Sequence, residues 1–285
     1  MKNFKETPFG LFLKRFLRNK VAVLAFFYIL FLFFITIFGR DIAPHDPRAF
    51  NFDPDYILKG PSGSHWFGTD EFGRDIFSRL FVGTRLTLSV SLTAVTFAMI
   101  VGSILGLISG YVGGIFDNLV MRVCDIMFVF PDIILAIAIV AILGPGLQNV
   151  VISVAVFGIP TFARIMRGAM LALKESLYVE AARSIGVSGF RIIFVHIFPG
   201  AMSTMVVNYT MRIGTAILAA SSLSFLGLGA PPTEEEWGAM LSLGRNYLGV
   251  APHAVLFPGL VILMAVLAFN VLGDGLRDAL DPKYN

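Results

Sequence analysis

Asp125, Asp132 and Arg212 carry charge inside long apolar runs. A charge at the centre of a bilayer costs about 2.5–3.5 kcal/mol even on lenient scales. Such residues therefore pair with one another, line a polar path, or do both. Arg212 lies about midway along its run and suits either a pore wall or a structural pair with one of the carboxylates. Asp132 follows Pro131, which is expected to kink the run. Asp125 lies near the end of its own run, where interfacial exposure suffices. A second polar constellation is Glu180-Ala181-Ala182-Arg183-Ser184 with Gly186, inside EAARSIGVSGFRIIFVHIFPG at 180–200. It places acid, base, Ser and Gly at helical spacing between two oily runs.

Other chemistry is missing from the pattern. No G-x-x-x-x-G-K-[ST] occurs, so the chain has no phosphate cradle of its own, and Gly227 and Gly229 do not continue to a dinucleotide fingerprint. No paired carboxylates or nucleophile elbow stand out. Cys124 is the single cysteine, which excludes an internal disulfide and a multi-cysteine metal site. His45, His65, His196 and His253 are scattered without metal-ligand spacing, so interfacial or hydrogen-bonded roles are expected of them and no metal site. The residues point to no catalysis and no bound cofactor.

The elements that must position these residues are membrane helices. Of 285 residues 56% are hydrophobic and 14% charged, whereas a soluble domain carries about 25% charged residues. The net charge is +3 with no dense Lys/Arg run, which argues against nucleic-acid binding. A spanning helix needs about 20 mostly apolar residues. Spans are predicted over 21–39, 86–116, two within 121–163 broken at Gly144-Pro145-Gly146, 199–226 and 252–272. The first follows a basic stretch but lacks a small-x-small cleavage site, so it reads as an uncleaved span. With the N-terminus inside, fourteen Lys and Arg fall on the inner side and seven on the outer. That split predicts both termini and residues 168–198 in the cytoplasm, with a long first loop outside.

Two helical faces stand out. Phe9, Phe12, Leu13, Phe16 and Leu17 form an apolar stripe with Lys14, Arg15 and Arg18 off it, an interfacial helix for a lipid surface. Gly102, Gly106 and Gly110 form a close-packing face of the second span. In the polar segment, Leu173, Leu177, Ala181 and Ile185 share a face, and Glu180 is placed to pair with Arg183. Gly186 ends that helix, Ser188 is placed to cap a second, and Pro199 suits the first turn of the next span. Residue types leave two readings open: a helical hairpin that docks a soluble partner, and a plain connector.

Glu180-Ala181-Ala182, three residues, Gly186, then twelve residues to Pro199 resembles the EAA loop of bacterial ABC importer permeases. The segment from His65 to Asp75 (HWFGTDEFGRD), the block from Gly229 to Met240, and the tail from Ala268 to Pro282 resemble the C-type permeases of the dipeptide/oligopeptide/nickel family. His196 and Phe198 depart from the general loop pattern, which favours Ile and Leu there.

The resemblance implies an all-α, polytopic fold of six transmembrane helices, the ABC type I importer permease fold, in the bacterial inner membrane. It implies an accessory part over 1–85 and a five-helix core over 86–285, with the coupling loop at about 168–198. Glu180, Ala181, Ala182, Arg183, Ser184 and Gly186 then meet an ATPase, and Arg212 and Asp132 are pore candidates. Implied partners are a second homologous permease, one or two cytoplasmic ATPase subunits that use ATP and Mg, an external solute-binding protein, a short peptide as substrate, and membrane lipid. Asp70, Glu71, Arg74 and Asp75 are placed either to touch the binding protein or the sister permease, or to serve as ordinary loop residues. Import of nickel or another small solute is the runner-up, and an ion-coupled secondary transporter follows. A further class is a membrane scaffold that only anchors soluble partners, and the intramembrane Arg212 and Asp132 weigh mildly against it. The spans offer apolar walls that suit varied peptides and no His/Cys/Asp cluster for a bare metal ion.

Overall fold

The computed structural model describes residues 8–280, so Lys2, Lys5, Lys283 and the last two residues of the C-terminal block, Asp281 and Pro282, lie outside the described residues. Among the described residues every regular element is a helix, and the one β feature is an isolated antiparallel bridge between Thr69 and Asp75. The amphipathic helix α1 (Pro8–Arg18) leads into α2 (Lys20–Ile42), whose first turn is closed by Asn19 Oδ1 accepting from the Ala22 N–H at 3.1 Å. A loop over 43–75 follows, then α3 (Ile76–Val112). The chain continues through α4 (Gly114–Val129), α5 (Asp132–Leu143) and α6 (Leu147–Leu173). Two short helices, α7 (Leu177–Ser184) and α8 (Gly189–Arg191), precede a wide π-helical turn at Ile192–Ile197 and α9 (Phe198–Phe225). Last come α10 (Trp237–Gly244) and α11 (His253–Leu280).

Among the described residues five helical stretches are long and apolar enough to cross a membrane alone, and α4 with α5 is long and apolar enough to serve together as a sixth, bent by 97°. The bend corrects the expectation of a merely kinked third span. Phe130 is forced to extended geometry (ψ 136°) by the ring of Pro131, which excludes the α region for the residue before it. The expected break at 144–146 is present between α5 and α6. The second span starts at Ile76, not Leu86, and ends at Val112, so the boundary at 85 and 86 falls inside α3. At 37 residues α3 is about 55 Å long and outreaches a hydrocarbon core of about 30 Å. Its first turns are charged because they belong to a loop platform.

Small residues set the packing. Cβ atoms built at Gly102, Gly106 and Gly110 would lie 2.6 Å from Ile159 O, 2.2 Å from Ala163 O and 2.8 Å from Met170 Cγ. The stripe therefore lets α3 and α6 touch backbone to backbone, where dispersion replaces the hydrophobic effect as the adhesive. Phe12 and Phe16 of α1 pack onto the core, and Leu13 and Leu17 stay exposed, as an interfacial helix requires. A Cβ at Gly275 of α11 would meet Ala22 Cβ at 2.3 Å, so the N-terminal arm is seated on the last helix.

The loop platform closes one end of the bundle. Arg74 and Arg79 are each 1% exposed and share Asp70 Oδ2, with their Nε atoms at 2.7 and 3.5 Å. The Arg74 guanidinium also stacks over Phe72 at 4.6 Å. Arg48 Nε reaches Glu235 Oε1 at 3.1 Å, joining the loop after α2 to the loop before α10. Glu236 Oε2 accepts from the Ala239 N–H at 2.8 Å and caps α10. Trp237, fully buried, donates its indole N–H to Leu80 O at 3.0 Å. Burial pushes the carboxyls of Glu71 and Glu236 up from the ordinary range, with Asp70 adding to the shift at Glu71.

Candidate functional site

At the opposite end, the polar segment folds as a hairpin. Lys174 closes α6 and sends Nζ to Gly110 O at 3.3 Å. Ser176 Oγ donates to Leu173 O at 2.5 Å, which turns the chain into α7. α7 ends as the sequence predicts. Gly186 adopts φ +82°, its N–H donates to Arg183 O at 3.0 Å, and the Val187 N–H donates to Ala182 O at 3.1 Å. These two bonds make a Schellman cap, and a left-handed residue at that position favours Gly. Ser188 holds the N-cap position of α8 with extended backbone, but its side chain makes no capping bond. Gly189 was not singled out by the sequence. A Cβ there would lie 2.2 Å from Tyr111 Oη, so α8 rests against the end of α3. Its signal is no more than Gly next to an aromatic-rich segment.

Pro199 sits at the second residue of α9, but the helix is already running. The π-helical turn just before it widens the helix where the proline ring would press on the carbonyl four residues back. The predicted second short helix and the fifth span are thus one continuous 37-residue stretch, Gly189–Phe225.

The hairpin turns apolar side chains outward. Val179 and Ala182 are buried, whereas Leu177, Ile185 and Phe190 are 84%, 81% and 73% exposed. The predicted Glu180–Arg183 pair is absent: among the described residues neither side chain enters an ion pair. Ser184 Oγ instead donates to Glu180 O at 3.0 Å, and both charges face outward beside the exposed apolar residues.

The intramembrane charges form a ladder of pairs. Arg212 Nη1 lies 3.4 Å from Asp132 Oδ2, and Arg212 Nη2 donates to Thr161 Oγ1. Arg164 Nη2 lies 2.7 Å from Asp125 Oδ1 and its guanidinium covers Phe128 at 4.3 Å. Arg167 makes two bonds of 2.6 Å to Asp117, which also accepts from Ser109. The spans predicted within 121–163 leave Arg164 and Arg167 among the inner-side basic residues; the structure puts both inside α6. Thr204, Asn208, Arg212 and Thr215 line one face of α9, and a cavity of about 420 Å³ opens beside Ser203, Thr204, Asn208 and Arg277. The 4-4-3 spacing of that stripe is legible in the sequence, and sequence reasoning on the isolated charges alone missed it.

At the loop end, Asp70, Arg74 and Asp75 are buried, and Asp75 Oδ2 accepts the Ser78 N–H at 2.8 Å to cap α3. They hold the loop together and offer no outer contact surface. Paired charges across bent and long apolar helices, with a loop platform of buried charge at one end and an exposed hairpin at the other, make this a multi-pass membrane protein.

Comparison with known proteins agrees. Residues 102–285 match the family described as binding-protein-dependent transport system inner membrane component, and residues 7–61 match the N-terminal TM domain of oligopeptide transport permease C. The glutathione transport system permease protein GsiD of Pectobacterium atrosepticum is 51% identical over 98% of this chain and 92% of its own. The protein of the same name from Escherichia coli O157:H7 is 52% identical over 98% and 91%. Among solved structures, the inward-facing MetNI methionine ABC transporter is similar with a TM-score of 0.58 at 20% identity, covering 71% of this chain and 97% of that one. An amino acid ABC transporter with histidines is similar at a TM-score of 0.54 and 15% identity, over 69% and 91%, so both likenesses concern the fold alone. The chain belongs to the family of inner membrane components of binding-protein-dependent transport systems. It is a multi-pass permease subunit of an ABC importer.

Proposed function

We propose that this chain forms half of the translocation pore for short peptides, beside a second, homologous permease. The observation that carries the substrate is the full-length likeness to permeases named for glutathione, itself a tripeptide. The exposed apolar and unpaired charged residues of the hairpin support docking on one or two cytoplasmic ATPase subunits, which supply ATP and Mg chemistry. Glu180, Ala181, Ala182, Arg183, Ser184 and Gly186 form the coupling surface. Arg212 and Asp132 face the path, where their 3.4 Å pair keeps either charge from standing alone in the membrane. An external solute-binding protein delivers the substrate to the loop end.

This reading puts both termini and residues 168–198 in the cytoplasm, following the basic-residue split. A Ser64→Cys probe in a Cys124→Ser background is then labelled in intact cells. Labelling only after the membrane is opened reverses the orientation. The substrate is tested by uptake of labelled glutathione and a labelled dipeptide, with and without the gene. Both fluxes are expected to fall on deletion. Unchanged peptide flux with a changed flux of a nickel complex transfers the assignment to small-solute import.

A further inference from the structure

The loop over 43–75 joins α2 to α3, and its two ends meet at three side chains: His45, His65 and Asp75. One ligand atom from each lies within 4.8 Å of the other two. His65 Nδ1 and Asp75 Oδ1 are 2.9 Å apart, and the two imidazole rings lie 4.6 Å apart between centroids. All three residues are buried or half-buried. Nothing in their spacing of twenty and ten residues announces the cluster; the loop fold assembles it.

The surroundings leave these atoms prepared as donors. His45 Nε2 sits 2.7 Å from Ser64 O, and a carbonyl only accepts, so Nε2 carries the proton and Nδ1 keeps its lone pair. Asp75 Oδ2 is occupied by the Ser78 N–H at 2.8 Å and the Ser78 hydroxyl at 2.6 Å, which leaves Oδ1 for His65 or a cation. Ser78 Oγ also accepts from the His45 N–H at 3.1 Å, so the same hydroxyl fixes the backbone of one ligand and the carboxylate of another. His45 and Asp75 therefore each have a hydrogen-bonded support outside the cluster, the arrangement that orients metal ligands, and His65 is held by Asp75 itself.

We propose that His45, His65 and Asp75 form a binding site for a divalent transition-metal ion of the zinc class. Two imidazoles and one carboxylate suit Zn²⁺ and disfavour Mg²⁺ or Ca²⁺, which take oxygen sets. Tetrahedral bonds of about 2.0–2.1 Å place ligand atoms about 3.3 Å apart. The His65–Asp75 distance is already close to that, and His45 closes the site by a small ring movement. Binding shifts the His65 proton from Nδ1 to Nε2, and the cation takes its place beside Oδ1. A water completes the coordination. The ion clips both ends of the loop to the first turn of α3. The site rests on this loop geometry and is independent of the transport reading.

The test is metal content of the full chain, purified without a histidine tag, dialysed against Zn²⁺ and then against metal-free buffer. One equivalent of zinc per chain is expected, with X-ray absorption showing two imidazole nitrogens at about 2.0 Å. His45→Gln is expected to bind at least tenfold more weakly, while His196→Gln keeps one equivalent. Zn²⁺ is also expected to raise the unfolding temperature of the parent and of His196→Gln but not of His45→Gln. Because Asp75 caps α3, its substitution is left aside in favour of the histidines. Absence of bound zinc in the parent overturns the proposal, as does equal zinc content and equal thermal shift in His45→Gln.

Discussion

The two ends of the bundle solve opposite problems. The loop platform buries its charges: Arg74, Arg79 and Asp70 are sealed together, and Trp237 donates to Leu80 O beneath them. The hairpin leaves Glu180 and Arg183 outside any ion pair among the described residues and turns Leu177, Ile185 and Phe190 to the outside. Buried charge that is paired within the loop holds the chain in place there, although Arg74 Nη2 and Arg79 Nη1 make no hydrogen bond. Exposed apolar surface beside free charge is incomplete by itself and acquires meaning from a partner. Buried charge sits at one end and exposed apolar surface at the other, joined by the long helices α3, α6 and α9.

The contrast is broken most severely at the platform. Arg74→Met removes the 2.7 Å partner of buried Asp70 and leaves only the longer Arg79 contact at 3.5 Å, and loss of one partner of a buried pair costs up to about 3–5 kcal/mol. Thermal unfolding of the purified chain is expected to show a loss of that size. A variant as stable as the parent refutes the claim that this network holds the loop.

Gly186→Val acts on the other end and is milder for the fold. A β-branched residue in left-handed geometry costs about 1–2 kcal/mol, and a Cβ at Gly186 has open space around it, so the strain is purely conformational. The expected outcome is a folded, inserted chain whose reconstituted complex no longer shows substrate-stimulated ATP hydrolysis. Normal stimulation removes the Schellman cap from the coupling argument.

These two ends were unequally legible in the sequence. The hairpin was readable because its devices are local: Gly186, the Glu180-Ala181-Ala182 run and the apolar face lie within one or two helical turns. The glycine stripe of α3 was readable for the same reason. The platform was not, because Arg48 meets Glu235 and Trp237 meets Leu80 across more than 150 residues, and no local pattern encodes such pairing. The charges of the membrane interior were half legible. Arg212 was visible as an expensive residue with a carboxylate as its alternative partner, but Arg164 and Arg167 follow an apolar run closely enough to pass for loop residues. The bend at Pro131 was foreseen in kind and underestimated in size, since a proline after Phe130 permits both a kink and a full turn.

A smaller effect sharpens the picture of the platform. Glu71 is held protonated more readily in the folded chain than in the unfolded one, because burial and Asp70 raise its carboxyl above the ordinary value. As pH rises from the ordinary carboxyl value through the raised folded value, the unfolded state loses its proton first, so stability falls and then levels off. Below the ordinary value the penalty vanishes. Glu71→Gln is therefore expected to raise the unfolding temperature by about 1–2 °C near neutral pH and to leave it unchanged near about pH 4. A gain of equal size at both pH values assigns it to packing and not to charge.

The smallest effect on the fold is expected at Leu177 and Ile185, and there the contrast between the two ends is most exposed to refutation. Both side chains stand out in water or against a partner, with no core neighbours to lose, so Leu177→Ser and Ile185→Ser should shift stability by no more than about 0.5 kcal/mol. If they are anchors at the centre of a protein interface, each truncation costs more than about 1 kcal/mol of binding, several-fold in affinity. Titrating the purified ATPase subunit against reconstituted permease, with ATP hydrolysis as the readout, separates the two quantities. The expected result is an unchanged unfolding temperature with a several-fold higher half-saturation, and a larger loss in the double variant. Unchanged half-saturation in both single variants and in the double one means that the outward apolar face of the hairpin is not where the partner sits, and the coupling surface must then be sought on the charged side, at Glu180 and Arg183.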